Sequence, residues 1–264
     1  MAMNTDEFNG SPADQYHLAS CNSSTTKGLP SQFQINYEMR ILDLVRESPL
    51  RIDNATERIA LDVDRERVSM SIEEAITSRE SIRQYGTDPI TLSQLAKLLY
   101  LGNGIRKLST PDKRDYIHRR NVPSAGNLGS VEVYCISLNV EGLKQGIYHF
   151  DALNHELELV RSGDFTTWLK EFVFYQLEAA EAAAMLVLTS QQARISQKYG
   201  IRAYRMGLLD AGHVSQNIFL AATGMNLAVW VTGGFVDDEL NTALGLDGLD
   251  QCALLTLCLG NKRT

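Results

Sequence analysis

The sequence predicts an α+β layer fold, and three observations carry that reading. Short apolar runs bounded by turn residues recur from residue 131 onward; a period of three and four residues dominates 203–222; and a 264-residue chain that is 44% hydrophobic can bury a full core. The formal net charge is −7 and no run of five Lys or Arg occurs, which excludes nucleic acid as the expected partner. Four cysteines, Cys21, Cys135, Cys252 and Cys258, match neither a zinc ribbon nor a redox pair and point to a reducing cytoplasm. The polar, acidic start MAMNTDEFNGSPADQ lacks the pattern of an export signal. The most apolar stretch, 219–231, falls short of the roughly 20 residues a membrane span needs, so no membrane association is expected.

Residues 1–30 are rich in Ser, Thr, Asn and Gly without hydrophobic periodicity and read as a flexible arm. Residues 31–70 interleave apolar and charged side chains and read as an extension, a short amphipathic helix followed by an extended connector, ahead of a domain over 71–264. Ser71 followed by Glu74 is a capping box that opens a helix running to about Ser78. Thr91 opens a second helix with Leu92, Leu95, Leu98 and Leu99 on one face and Gly102 or Gly104 as terminator. A charged loop is expected over 106–121. VEVYCISLNV reads as a strand, and GIYHFD and HELELV as two strands around the turn ALN, a hairpin or meander. TTWLKEFVFYQLEA reads as a helix and AAMLVLTS as a strand. The longest helix places Tyr204, Leu208, Ala211, Ser215, Ile218 and Ala222 on a buried stripe, and LAVWVTGGF and ALLTLCLG are the last strands.

Several familiar sites are absent. GNGIRK lacks the third glycine of a dinucleotide fingerprint, and there is no GxxxxGK[ST], HExxH or GxSxG motif. Five histidines show no ligand spacing beyond His149 and His155 across a turn, for which packing is the better reading, and no metal is expected. The segment around SRESIRQY is more informative. Arg79, Ser81 and Arg83 stand where a helix ends and could converge on one phosphate, because guanidinium forks match phosphate oxygens and a hydroxyl adds a donor. The same residues would also suit a solvated surface.

These pieces together resemble the nitroreductase-fold flavoproteins, and within them the SagB-type (McbC-like) azoline dehydrogenases. The matching segments are SRESIRQY with ITLSQLAKLLY, RNVPSAGNLGSVEVY, GIYHFDALNHELELV, QKYGIRAYRMGLLDAGHVSQNIFLAA and GGFVDDELNTALGLDG, in the family's order over most of residues 70–260. YHLAS around Tyr16 resembles the branch's leader element. The resemblance implies a nitroreductase-like α+β fold, a central mainly antiparallel sheet flanked by helices, an intertwined homodimer, and FMN at its interface. It places the FMN phosphate on Arg79, Ser81, Arg83 and Lys262 or Arg263.

The residue chemistry agrees with that implication. Pro123, Ser124, Ala125, Gly126 and Asn127 form a small-residue loop that a flavin ring edge could approach closely. Thr232, Gly233 and Gly234, at a strand end, could present amide N–H groups to the ring where negative charge develops. Lys198 and Tyr199 correspond to the Lys-Tyr pair this branch uses for dehydrogenation. Aromatising a thiazoline or oxazoline removes a proton from one ring carbon and a hydride from its neighbour, which the resemblance sends to flavin N5. A tyrosine is a poor base at neutral pH, with a reference pKa of about 10; a neighbouring ammonium favours its phenolate, and burial can instead make the lysine an acceptor. The sequence does not choose between them. Both residues reach one pocket only if this segment is a loop or a helix entrance, which Gly200 would allow. Arg202, Tyr204 and Arg205 suit substrate contact, dimer contact or salt bridging equally. His213 and Asn217, one turn apart on the long helix, read as packing residues or as polar anchors between protomers.

The expected activity is therefore FMN-dependent oxidation of an azoline to an azole in a peptide or carrier-protein-bound intermediate. A nonribosomal peptide synthetase or cyclodehydratase is the implied partner, in the cytoplasm. The competing readings are a general nitro or quinone reductase and a flavin-free scaffold on the same fold.

Overall fold

The computed structural model describes residues 12, 15, 16, 50–53, 55–106 and 119–263. A seven-stranded sheet forms the centre, in the order β1 (Arg58–Ala60), β8 (Glu156–Ser162), β7 (Gly146–Asp151), β5 (Val131–Ser137), β9 (Ala184–Ser190), β11 (Ala253–Asn261) and β10 (Leu227–Thr232). Every neighbouring pair is antiparallel. Two minor ribbons, β2 (Ile90–Thr91) with β6 (Val140–Glu141) and β3 (Ile105–Arg106) with β4 (Arg119–Arg120), flank it. The last pair falls inside the stretch read as a loop; residues 107–118 of that stretch lie outside the described residues.

β5, β7 and β9 are buried along their whole length, so both faces of the sheet are covered. Alternation sorts their side chains: Val133 and Cys135 face the layer that contains Leu95, Leu98, Leu99 and Ile218, whereas Tyr134 and Ile136 face Leu169, Val173 and Leu240. The first layer is built by α2 (Leu92–Asn103) and α5 (Ala203–Gly224), with α1 (Ile72–Ser78) also packed on α5. α6 (Asp237–Leu244) belongs to the opposite layer.

Local chemistry explains the helix boundaries. Ser71 and Thr91 each close a reciprocal capping box, with Glu74 and Gln94. α2 crosses α5 closely because Gly102 has no Cβ; one placed there would sit 2.4 Å from Ile218 Cγ1, and Gly104 ends the helix.

The segment expected as one helix from TTWLKEF to QLEA is not one. α3 (Thr166–Trp168) widens into a π turn, Leu169–Val173, and a 3₁₀ turn follows at Leu177–Glu181. Between them Phe174 is extended and bridged to Phe235, while Val236 donates its N–H to Val173 O at 2.8 Å. A tertiary backbone pairing outweighs local helical preference at an aromatic, β-prone sequence.

On α5 the C-terminal part of the expected stripe is buried, but Tyr204 and Leu208 near its start remain 41% and 44% exposed. His213 is exposed, and Asn217 bonds within the chain, from Nδ2 to Leu101 O and Asn121 O at 3.3 Å each, so it joins α5 to the end of α2. No helix among the described residues is long and apolar enough to cross a membrane.

Candidate active site

The site residues gather in two groups, and β10 joins the first of them to Thr232–Gly234. The first follows α1. Arg79 caps that helix in an extended conformation, and Ile82 donates its N–H to Val229 O at 3.0 Å, so the segment runs along the outer edge of β10. Tyr85 then bridges to Lys262 just past the end of β11. In such a strand-like segment Arg79, Ser81 and Arg83 share a side, and all three are exposed while Ile82 is half-buried. Arg79 lies 5.0 Å from the centre of the Phe219 ring and Arg83 5.1 Å from that of Trp230. The rings fix the guanidinium groups by cation–π contact and leave their N–H edges available. None of Arg79, Arg83, Lys262 and Arg263 forms an ion pair among the described residues. A cationic group left uncompensated is suited to an anion such as a phosphate.

Three residues beyond Val229, about 10 Å at strand rise, β10 ends in Thr232, Gly233 and Gly234. One expectation is corrected here: the Gly234 N–H is not offered outward, because Thr232 Oγ1 accepts it at 2.9 Å. Thr232 Oγ1 also donates to Gln176 Oε1 at 3.3 Å. Gly233 is exposed, and a Cβ there would meet nothing within 4 Å, so its backbone can be approached closely.

The second group sits between two helices, the first of which the sequence reading did not foresee. α4 (Gln192–Tyr199) ends at Gly200, whose φ of 53° and ψ of −136° turn the chain where other residues would be strained. Lys198 and Tyr199 therefore occupy a helix end, with Lys198 Nζ 5.4 Å from the centre of the Tyr199 ring. Opposite them, Ala125–Asn127 forms a 3₁₀ turn with Gly126 and Asn127 both left-handed, at φ 62° and 58°. A Cβ on Gly126 would lie 2.7 Å from Lys198 Nζ and 3.0 Å from Tyr199 Oη. Two residues that diverge on a regular helix thus converge on one backbone position. Leu128, Ile195 and Ala203 back the Tyr199 ring with a small dry cluster.

Of the residues that hold this loop, Asp210, Arg194 and Glu132 were not singled out from sequence. Asp210 of α5, buried, accepts the Ala125 N–H at 2.8 Å and the Ser130 hydroxyl at 2.5 Å. Ser124 Oγ accepts the Gly129 N–H at 2.9 Å. Arg194 of α4 donates to Gly129 O at 2.5 Å and to Glu132 Oε1 at 3.0 Å. Glu132 begins a buried charged row across the sheet: His149 Nε2 is 3.5 Å from Glu132 Oε2, and His149 Nδ1 is 3.0 Å from Glu158 Oε2, which Arg58 meets at 3.1 Å through Oε1. Burial opposes charge on His149, but the two carboxylates outweigh it and raise its pKa to about 9. Burial would raise Glu132 as well; its bond to His149 and the charge of Arg194 instead hold it down at about 2. His155, the other histidine of the turn, bonds Ile105 O through Nε2 at 3.0 Å. The sequence signal for this row was available: Glu132, His149 and Glu158 are ionisable residues inside otherwise apolar strands, which must be paired to be buried.

Comparison with known proteins gives the class to which this fold belongs. The family model described as "Nitroreductase family" matches residues 76–261, and the chain belongs to that family. Among curated proteins it is 28% identical over 193 residues to MJ1384 of Methanocaldococcus jannaschii, named for the nitroreductases, covering 73% of this chain and 92% of that one. It is 20% identical to the trifolitoxin operon protein TfxC of Rhizobium leguminosarum bv. trifolii, covering 74% of this chain and 57% of TfxC. It is 26% identical to the microcin B17-processing protein McbC of Escherichia coli, covering 65% of this chain and 62% of McbC. The chain thus spans less than two thirds of the latter two.

Solved structures share the fold. A protein from Anabaena variabilis, named for the nitroreductases, superposes with a TM-score of 0.65 at 28% identity, over 78% of this chain and 42% of that one. The E. coli microcin synthetase McbBCD complex with truncated pro-MccB17 bound gives 0.59 at 20% identity, over 96% and 92%. The NADPH:FMN oxidoreductase from Vibrio harveyi gives 0.50 at 21%, over 73% and 69%.

Proposed function

We propose that the protein is an FMN-dependent oxidoreductase that dehydrogenates a thiazoline or oxazoline ring in a peptide or carrier-bound intermediate to the aromatic azole. The observation that carries this reading is the convergence of Lys198 Nζ and Tyr199 Oη on Gly126. FMN as cofactor is supported by family membership and by the fit of the residues present. Arg79, Ser81 and Arg83 with Lys262 or Arg263 would hold its phosphate. Gly233 and the loop from Pro123 to Asn127 would border its ring. Bound FMN would supply the two-electron acceptor for the hydride lost from the azoline.

The chain's own residues account for the proton. Azoline oxidation breaks one C–H bond to release a proton and a second to release a hydride, leaving a new ring double bond. A proton acceptor must therefore face the ring, and Lys198 with Tyr199 forms that acceptor. The apolar backing of Leu128, Ile195 and Ala203 limits competition from water. The similarity to McbC and to the McbBCD structure supports a natural-product setting with a biosynthetic partner protein; a cytoplasmic homodimer is carried over from the sequence reading and its family resemblance.

The test uses a synthetic peptide bearing one thiazoline, incubated with FMN-loaded protein and an electron acceptor. Loss of two hydrogens by mass spectrometry is the expected product signature. Lys198→Ala and Tyr199→Ala should abolish it while bound FMN is retained, and undiminished turnover in both would remove the pair's role. A second reading, a nitro or quinone reductase, is favoured by the likeness to MJ1384. It requires rapid NAD(P)H consumption with a nitroaromatic acceptor and indifference to the two substitutions. A scaffold role requires peptide binding with neither turnover.

A further inference from the structure

We propose that Arg194 and Glu132 are positioning residues for the reaction, locking the Lys198–Tyr199 helix end against the Ser124–Asn127 loop; this rests on the reading of Lys198 and Tyr199 as the catalytic pair. Arg194 stands one helical turn before Lys198 on α4 and points its side chain across to the loop that faces the pair. Its Nη1 bonds the Gly129 carbonyl and the Glu132 carboxylate, so one group joins helix, loop and the start of strand β5. Glu132 is 1% exposed and held ionised by Arg194 and His149, with Arg120 adding a further positive charge nearby. The buried carboxylate fixes where the Arg194 guanidinium sits, and the guanidinium fixes how far α4 stands from the turn around Gly126. Asp210 clamps the same loop from α5 through Ala125 N–H and the Ser130 hydroxyl, and Gln191 N–H ties the start of α4 to Ser130 O at 2.9 Å; beyond that first residue Arg194 holds α4 to the loop. A carboxylate or guanidinium used only to fill space would not need both partners on the flanks of one reactive turn.

The experiment uses the FMN-loaded, full-length protein with two readouts: oxidation of the single-thiazoline peptide, and amide hydrogen exchange by mass spectrometry. Arg194→Ala should lower kcat about 10- to 100-fold, as misplacement of reacting groups by a fraction of an ångström to an ångström does. KM should stay within about twofold, since binding groups are not removed. Exchange should rise in 124–130 and 196–202 and stay unchanged in β9 and β11. Arg194→Lys, which keeps a cationic donor on a shorter, non-planar side chain, should recover part of the kcat.

Wild-type kcat in Arg194→Ala, or wild-type exchange in both segments, overturns the proposal. If Arg194→Ala does not fold, Glu132→Gln and Arg194→Lys decide in its place: lowered kcat with raised exchange in 196–202 supports it, and neither change overturns it. Lys198→Ala serves as the control. Full turnover there removes the catalytic reading of the pair, whereas the exchange data still report whether Arg194 fixes the two segments.

Discussion

Replacing Gly126 with alanine separates the geometry of the Lys-Tyr site from its stability. Two effects act at this position. Gly126 has φ 62°, where an added Cβ costs about 1–2 kcal/mol, partly offset by about 0.5 kcal/mol or more from a less flexible unfolded chain. The Cβ would also lie 2.7 Å from Lys198 Nζ and 3.0 Å from both Lys198 Cδ and Tyr199 Oη, against an ordinary contact of 3.4 Å or more. Those atoms are side-chain ends that can retreat cheaply, so the net loss of stability is about 1 kcal/mol, a fall of about 2–4 °C in Tm for a chain of this size. The retreat is nonetheless several tenths of an ångström at both proposed reacting groups, which corresponds to about a 10- to 100-fold loss in kcat. Gly245, with φ 74° and nothing within 4 Å of an added methyl, carries the backbone cost without the collision. Gly245→Ala should therefore lose a comparable Tm and keep its turnover. Differential scanning fluorimetry and peptide mass spectrometry measure the two quantities. Equal turnover in the two variants, whether both high or both low, would refute the assignment of Gly126 as the floor of the catalytic site.

The charged row makes stability depend on pH. His149 is raised from 6.5 to about 9 on folding, so its stabilisation is complete below about pH 6.5 and lost as pH climbs through about 9; the rise corresponds to about 3 kcal/mol. Glu132, lowered from 4.5 to about 2, acts in the opposite sense, stabilising above about pH 4.5 and losing that contribution as pH falls through about 2. Urea unfolding of the protein and of His149→Gln should show the difference between them shrinking from pH 6 to pH 10, and a constant difference would contradict the assignment. At the other group, Arg79→Ala and Arg83→Ala should each weaken FMN binding about 10-fold or more, the cost of one charge-assisted hydrogen bond. Titration into flavin-free protein, read by quenching of FMN fluorescence, checks this, and unchanged affinity in both variants would dismiss the phosphate site.

What the sequence disclosed and withheld follows from the range of the forces involved. The capping boxes at Ser71 and Thr91, the apolar face of α2 and the alternating strands are local patterns, and they were legible. The extended segment that carries Arg79, Ser81 and Arg83 after a helix end was legible for the same reason, whereas the helix over Gln192–Tyr199 was not. The segment from Thr166 to Glu181 was not, because Phe174 pairs with Phe235, sixty-one positions later, and the pairing interrupts a locally helical pattern. The stabilisers of the 124–130 loop were also hidden. Arg194 reaches Glu132 across 62 positions and Asp210 reaches Ala125 across 85, distances over which no single-sequence spacing rule operates. Gly234 shows the converse failure: its motif was visible, but Thr232 takes its amide through a two-residue turn that the dipeptide alone did not reveal.

The row from Arg58 through Glu158, His149 and Glu132 to Arg194 is costly to bury, since each charge leaves water and the mutual attractions only roughly balance that loss. Apolar residues of similar size would stabilise these three strands about as well. The difference lies in geometry. Apolar side chains allow a helix to slide over a sheet by small amounts at little cost, whereas a guanidinium held between Gly129 O and a buried carboxylate has one good position. A proton acceptor must stand at a fixed distance from a carbon acid, so the site gains from a helix whose spacing is set by directed bonds. That account requires stability and reactivity to separate on mutation. Filling the row with apolar side chains should leave a folded, flavin-binding protein with slow turnover, and retaining full turnover there would show that the charges serve the fold alone.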